Sequence, residues 1–324
     1  MPKSKWNLNT IYISERLQES LRPISRCAMT TVVAPMGYGK TTAVEWYLAE
    51  RAGAEAPYIV RISVYSSNLA IFWKSVQDAF ARAGFAFLRE YDCPNDGASG
   101  GLLIDDLCHA LTGEKSCYIF IDDFHLLTDK RAPGFLCALA GRLPPNVHLI
   151  LASRDLFLTA VELVRLGGKV YQIGTAQLRL NHTELAVYTK RCGTALSDEQ
   201  IDTLLYYSEG WFSAVYLNLR MFSEHGVLPD PNSDISSIFT AAMIDPLPEK
   251  QREFLAVMGL ADEFTVEMAQ FVMADAHAEY LLAALTGQNA FVKRLPDGAT
   301  YRFHHMMKEC ALHTFLSMPK ERQT

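Results

Sequence analysis

The stretch TVVAPMGYGKTTAV, residues 31–44, sets two glycines, a lysine and a threonine in an order that can hold phosphate. Against the G-x-x-x-x-G-K-[ST] pattern, Gly39, Lys40 and Thr41 fall in place, while the opening position is Ala34. Gly37 and Gly39 permit a tight turn whose backbone N–H groups can face phosphate oxygens. Lys40 would reach the β and γ phosphates, and Thr41 would offer its hydroxyl to Mg²⁺. A helix starting near Thr41 would add the positive end of its dipole. Pro35, Tyr38 and Thr42 complete the set of loop residues expected to touch the ligand. A glycine-rich turn with a chance Gly-Lys-Thr remains the alternative on this stretch alone.

A phosphate loop needs an acidic strand opposite it, because Mg²⁺ must be held from the far side. The segment CYIFIDD, 117–123, is an apolar strand that ends in Asp122 and Asp123. Asp122 would hold the metal through water, and Asp123 is the candidate for polarising an attacking water. A later apolar run, VHLILASRD, ends in Ser153 and Arg154, which are placed to sense a γ phosphate. Ligands in open parallel sheets gather at the carboxyl ends of strands. Arg154 at a strand end serves equally as an ordinary surface charge.

The elements that must carry these residues are legible in the first 180 positions. Strands are expected at 29–34, 58–64, 117–122, 147–152 and 170–173, separated by helical segments. One of these, TTAVEWYLAERA, brings Ala43, Val44, Tyr47 and Leu48 onto one stripe. Strands that are apolar throughout and alternate with helices imply a parallel sheet covered on both faces. YDCPNDGASGG, 91–101, is rich in turn formers and is expected to be an exposed loop.

Beyond residue 180 the strand signal nearly disappears. Asn181 with Glu184, and Ser197 with Gln200, match capping boxes that open helices running to about Cys192 and Ser208. A third helix, WFSAVYLNLRMFSEH, stops at Gly226, and VLPDPNSD reads as a linker. The last hundred residues are helical, except that FVKRLPDGATYRFH alternates around Pro296-Asp297-Gly298 in the manner of a hairpin. Helices, a hairpin and a final helix, HMMKECALHTFL, make the pattern of a winged helix. The domains expected are 1–180 for nucleotide binding, 181–233 for a helical domain and 234–324 for the winged helix.

Composition narrows the function classes. With 49% hydrophobic and 20% charged residues the chain has the profile of a folded soluble protein. Its net charge of -6 argues against a broadly basic surface for coating nucleic acid or an anionic membrane. The amino-terminal MPKSKWNLNT has no signal-peptide core, and no run approaches the roughly 18 apolar residues of a membrane span. Seven scattered cysteines without a C-x-x-C pair suit reduced thiols better than a disulfide frame or a zinc site. The expected location is the cytoplasm.

In order along the chain, VVAPMGYGKTT, YIFIDDFHLL, LILASRD, YSEGWFSAVYLNL and YRFHHMMKECA resemble the signal-transduction ATPases (STAND class) of MalT and the large LuxR-type transcription regulators. The resemblance runs from about residue 11 to the end, and in that family alanine at the loop's first position is ordinary. It implies the fold class α/β, an ASCE-type P-loop NTPase core followed by an all-α domain and a winged helix. It also implies a switch that holds ADP in a closed resting form and exchanges it for ATP when a small-molecule or protein inducer binds. ATP hydrolysis would be slow, and the ATP-bound form would self-associate. The nucleotide would be gripped between the core, the helical domain and the winged helix, with His304 contacting the phosphate end of ADP. Packing beside Phe303 and Met306 is the other reading of His304.

Two departures fall on the adenine side. The family's Gly-Trp-Pro turn reads Gly210-Trp211-Phe212, and its V-P-R-like segment reads Tyr12-Ile13-Ser14. The family continues into a helical-repeat sensor and a LuxR-type helix-turn-helix, so DNA contact would belong to a domain absent here, and the chain is expected to be a fragment of a longer protein rather than a short relative without an output domain. Two other functions were open. A winged helix that itself reads DNA would draw on Lys293, Arg294, Arg302, His304, His305 and Lys308. An AAA-type machine would need an arginine finger, for which Arg142, Arg165 and Arg191 are candidates.

Overall fold

The computed structural model describes residues 10–318 except 95, 194, 226–227, 229–239, 241–243, 246, 288–291, 296–297 and 304. The described residues fall into two compact units, one within 13–35 and 39–178, the other within 10–12, 36–38 and 179–318.

The first unit is built on five parallel strands: β1 (Met29–Val33), β2 (Tyr58–Ser63), β3 (Cys117–Asp122), β4 (Val147–Ser153) and β5 (Val170–Ile173). Their order across the sheet is β2-β3-β4-β1-β5, so β4 lies between the strand that feeds the glycine loop and the strand that ends in Asp122. All seven residues of β4 are buried, as a central strand covered on both faces requires. Helices connect the strands: α1 (Glu15–Leu21) precedes β1, α2 (Lys40–Glu55) follows it, and α3 (Leu69–Arg82) and α4 (Gly97–Leu111) lie between β2 and β3. Next come α5 (Arg131–Arg142), α6 (Ala160–Leu166) and the short α7 (Thr175–Leu178).

Alternation along the strands sorts side chains between two layers. Ile62, Ile119, Ile121, Leu149 and Leu151 share one core cluster with residues of α3, α4 and α5. Tyr118, one residue out of step, meets Tyr47 of α2 edge-on instead, with ring centroids 5.9 Å apart. The stripe Ala43, Val44, Tyr47 and Leu48 is buried as its spacing predicts, and each large apolar side chain in it contributes about 1.5–3 kcal/mol.

One segment corrects the sequence reading. Residues 97–101, expected as loop, form the first turn of α4, which Asp96 opens by accepting a hydrogen bond from the Ser99 N–H in a capping box. A side chain on Gly100 would meet the Phe135 ring of α5 at 3.5 Å. That is an ordinary contact distance, so the cap rather than a need for glycine accounts for the helix start, against the low helix propensity of its glycines.

In the second unit both predicted capping boxes are present, opening α8 (His182–Arg191) and α9 (Asp198–Ser208), and α10 spans Phe212–His225. Helices Glu249–Met258, Val266–Val272 and Ala278–Gly287 follow, then the antiparallel pair β6 (Val292–Arg294) and β7 (Tyr301–Phe303) and a helix His305–Ser317. Phe264 bridges to Tyr301 beside the hairpin and stacks on Phe303, their centroids 5.3 Å apart. Apart from Leu228, the expected linker 227–234 lies outside the described residues, as do Pro296 and Asp297 of the hairpin turn. The chain is thus α/β, a P-loop NTPase core joined to helical and winged-helix parts.

Candidate functional site

Where β1 ends, Ala34 is fully buried and its N–H donates to the Ser153 carbonyl of β4 at 3.3 Å. It therefore belongs to the sheet's exit, where a Cβ costs nothing. Gly39 has φ +76 and would place a Cβ in open space, so its backbone conformation alone asks for glycine. That left-handed residue is the N-cap of α2, and no side chain caps the helix's first N–H groups. Lys40 folds back over the loop: its Nζ donates to the carbonyls of Ala34 and Pro35 at 2.7 and 2.8 Å. Thr42 is exposed on the first turn of α2.

Thr41 connects the loop to the acidic strand, its Oγ1 donating to Asp122 Oδ2 at 2.8 Å. The other carboxylate oxygen, Oδ1, accepts from the Asp123 N–H at 2.9 Å. Asp123 itself has φ +54, a left-handed conformation that costs a non-glycine residue about 1 kcal/mol. At the end of β4 the buried Ser153 hydroxyl donates to the Asp155 carbonyl at 2.8 Å, and Arg154 stands exposed beside it.

The electrostatics tie these groups together. Burial, then the charge of Arg154, lowers the Lys40 ammonium to about 8, with Asp123, Asp122 and Asp155 pulling the other way. Burial raises the Asp122 carboxyl above its ordinary range, partly offset by the Thr41 hydrogen bond. The structure thus brings Pro35, Gly39, Lys40, Thr41, Asp122, Asp123 and Arg154 to one end of the sheet.

His125 joins them without having been singled out from the sequence. It lies just past Asp123, and burial followed by the charge of Arg154 lowers it to about 4, so the ring is neutral. Neither ring nitrogen has a hydrogen-bond partner, and Nδ1 is 3.9 Å from Asp123 Oδ1. The only signal was a polar residue inside IDDFHLL, where a hydrophobic one would suit the strand exit.

Residues Met36–Tyr38 have their partners within the second unit. Trp211 donates from Nε1 to the Met36 carbonyl at 2.9 Å, and Ser213 N–H donates to the Gly37 carbonyl at 3.1 Å. A Cβ on Gly37, whose φ is +78, would sit 2.1 Å from Ser213 Oγ. The Tyr38 ring stacks on Trp211 at 5.8 Å, so its face is engaged with protein. Gly210 is fixed by space as well as by its φ of +75, since a Cβ would come within 2.0 Å of the Leu180 carbonyl oxygen. Phe212 packs against Tyr188 at 5.2 Å, while Ser14 of the first unit caps α1 through the Leu17 N–H. His304 lies outside the described residues.

A family model described as the MalT winged helix domain matches residues 240–323. The HTH-type transcriptional regulator MalT of Yersinia pestis is 22% identical over 329 residues, covering 96% of this chain and 36% of the relative. MalT of Vibrio campbellii is 20% identical over 340 residues, again covering 96% of this chain and 36% of the relative. The chain is MalT-like. It spans little more than a third of the curated MalT-type relatives it matches. Among solved structures, a Walker-type ATPase of Pyrococcus abyssi superposes with a TM-score of 0.66 at 12% identity, covering 97% of this MalT-like chain and 99% of that one. The ORC2 protein of Aeropyrum pernix, solved in ADPNP and ADP complexes, gives 0.51 at 13% identity with 93% and 92% covered. The P-loop ATPase fold of the MalT-like chain is common to both.

The residues present suit a nucleotide with Mg²⁺. An uncapped helix N-terminus and a lysine bonded to loop carbonyls fit a phosphate group. Thr41 and Asp122 supply hard oxygen donors, and Mg²⁺ is commonly held by one or two carboxylates together with substrate phosphates. Among the described residues no cluster of three or more His, Cys, Asp or Glu suggests a different metal site, and no helix is long and apolar enough to cross a membrane.

Proposed function

We propose that the chain is the ATP/ADP-binding switch module of a MalT-like regulator of the STAND class and large LuxR type. The observation that carries this reading is the Thr41–Asp122 hydrogen bond, which joins the phosphate loop to the acidic strand at the two positions a bridging Mg²⁺ would use. In this reading Gly37, Gly39, Lys40 and the first turn of α2 hold the phosphates, with Pro35, Tyr38 and Thr42 shaping the loop around them. Thr41 and Asp122 hold Mg²⁺, which would neutralise phosphate charge. Asp123 orients water for slow hydrolysis, Arg154 senses the γ phosphate, and His304 bears on the phosphate end of ADP. Residues 1–180, 181–233 and 234–324 are the working domains, a division supported by the end of the sheet at Ile173 and by the family match at 240–323.

As a switch, the module rests on ADP and exchanges it for ATP when an inducer, a small molecule or a protein, binds elsewhere in the longer protein. The ATP form then self-associates in the cytoplasm, and DNA is contacted through a separate helix-turn-helix domain. Direct DNA reading by the winged helix is disfavoured because Arg302 and Lys308 are in ion pairs with Glu263 and Asp262. Arg142, one candidate finger for a machine-like ATPase, is paired with Asp105 at 3.0 Å. The test is ADP affinity in Lys40→Ala. Loss of the ammonium removes charge-assisted hydrogen bonds of about 1.5–3 kcal/mol each, so a weakening of at least tenfold is expected. Unchanged affinity would refute the site.

A further inference from the structure

The first unit holds a cavity of about 410 Å³, partly open to solvent and lined by no residue of the glycine loop, walled by α3, α4 and α5 and by one face of the sheet. Its lining includes Trp73 and Phe80 of α3, Leu103 and Leu107 of α4, Phe135 of α5 and Ile121 of β3. Protein interiors are close-packed, and voids larger than a water molecule are few. An apolar void of even about 150 Å³ stays dry and takes up small hydrocarbons, whereas ligand pockets run from about 300 to 1,000 Å³. This cavity falls in the second class by size and in the first by chemistry.

Its charged side chains are already matched. At the rim Arg131 pairs with Asp129 at 2.7 Å, Arg142 pairs with Asp105 at 3.0 Å, and Asp96 accepts from the Ser99 N–H at 2.8 Å. Trp73 Nε1 donates to the Tyr91 carbonyl at 3.0 Å, which leaves only its ring to face a guest. None of the buried polar atoms without a partner among the described residues belongs to the lining. A charged or strongly polar guest would lose its hydration and gain nothing in return. An apolar guest would restore dispersion contacts that the walls otherwise lack.

We propose that this cavity is a binding site for a small, uncharged, largely apolar molecule, separate from the nucleotide site and independent of the function proposed for it. The test uses the full chain and N-phenyl-1-naphthylamine, an uncharged fluorophore whose emission rises in apolar surroundings. Saturable binding of one probe per chain is expected, undisplaced by excess ADP. Leu103→Trp and Ala138→Phe each put bulk into the cavity and should weaken that binding at least tenfold, while unfolding midpoints show the variants still folded. In the unmodified chain the probe should also shift the NMR methyl signals of Ile119 and Ile121, a readout that does not depend on either variant folding. Absence of saturable binding, full affinity in a folded variant, displacement by ADP, or unmoved Ile119 and Ile121 methyl signals would each overturn the proposal.

Discussion

If Lys40 grips phosphate, ADP affinity must fall as pH rises from 7 to 9, well below the range in which an ordinary lysine titrates. Its ammonium is held at about 8, first by burial and then by the charge of Arg154. About nine-tenths of the ligand-free chain then carries the proton at pH 7, and about one-tenth at pH 9. Bound phosphate places negative charge beside Nζ and restores the proton, so binding at high pH must take one up. Affinity should therefore drop about tenfold between pH 7 and 9, or about 1.4 kcal/mol, against a few per cent for a lysine near 10.5. Within this window His125, held near 4, is neutral throughout, and a terminal phosphate with its second pKa about 6 is already ionised. Calorimetric titration of ADP in buffers of different ionisation enthalpy reads both quantities, and proton uptake should climb from about 0.1 per ADP at pH 7 to about 0.9 at pH 9. Lys40→Arg, charged at every pH used, should flatten the profile. A constant affinity without proton uptake, or the same slope in Lys40→Arg, would show that Lys40 is not the phosphate's cation.

Three further outcomes follow from the same geometry. Thr41→Ala leaves Asp122 Oδ2 without its donor and should reduce the Mg²⁺-dependent part of ADP affinity about tenfold, read by titration with and without Mg²⁺; undiminished dependence contradicts the metal assignment. Asp123→Asn should slow single-turnover ATP hydrolysis by about 10²-fold or more while leaving ATP affinity intact, and an unchanged rate would return Asp123 to a strand-end role. His125→Leu removes a buried imidazole that has no hydrogen-bond partner, so urea unfolding should show stability unchanged or raised by about 1–3 kcal/mol; a loss above 1 kcal/mol would reveal a partner.

The core of the fold was legible because its strands are short apolar runs, and the signal for a doubly covered parallel strand is local. VHLILA and CYIFID could be placed to within a residue for this reason. The capping boxes at Asn181 and Ser197 were equally local, since each needs only two side chains three positions apart. The start of α4 was not legible. Its first five residues hold three glycines, which are poor helix formers, and its capping box pairs Asp96 with Ser99 rather than with the usual Glu or Gln. That Lys40, Thr41, Asp122, Asp123 and Arg154 would lie at one end of the sheet was legible from spacing and order. His125 was missed because a single histidine carries no pattern, and its isolation is a product of burial. Stacking of Tyr38 on Trp211 and the cavity between α3, α4 and α5 arise from long-range packing that no local motif encodes.

We propose that this chain binds a nucleoside diphosphate through the loop that ends in Lys40. The most direct test is to denature the purified chain and identify the nucleotide released, alongside equilibrium binding of added ADP. ADP is expected at up to one per chain in the unmodified protein and none in Lys40→Ala; a nucleotide-free chain that fails to bind added ADP in the presence of Mg²⁺ would rule out the site.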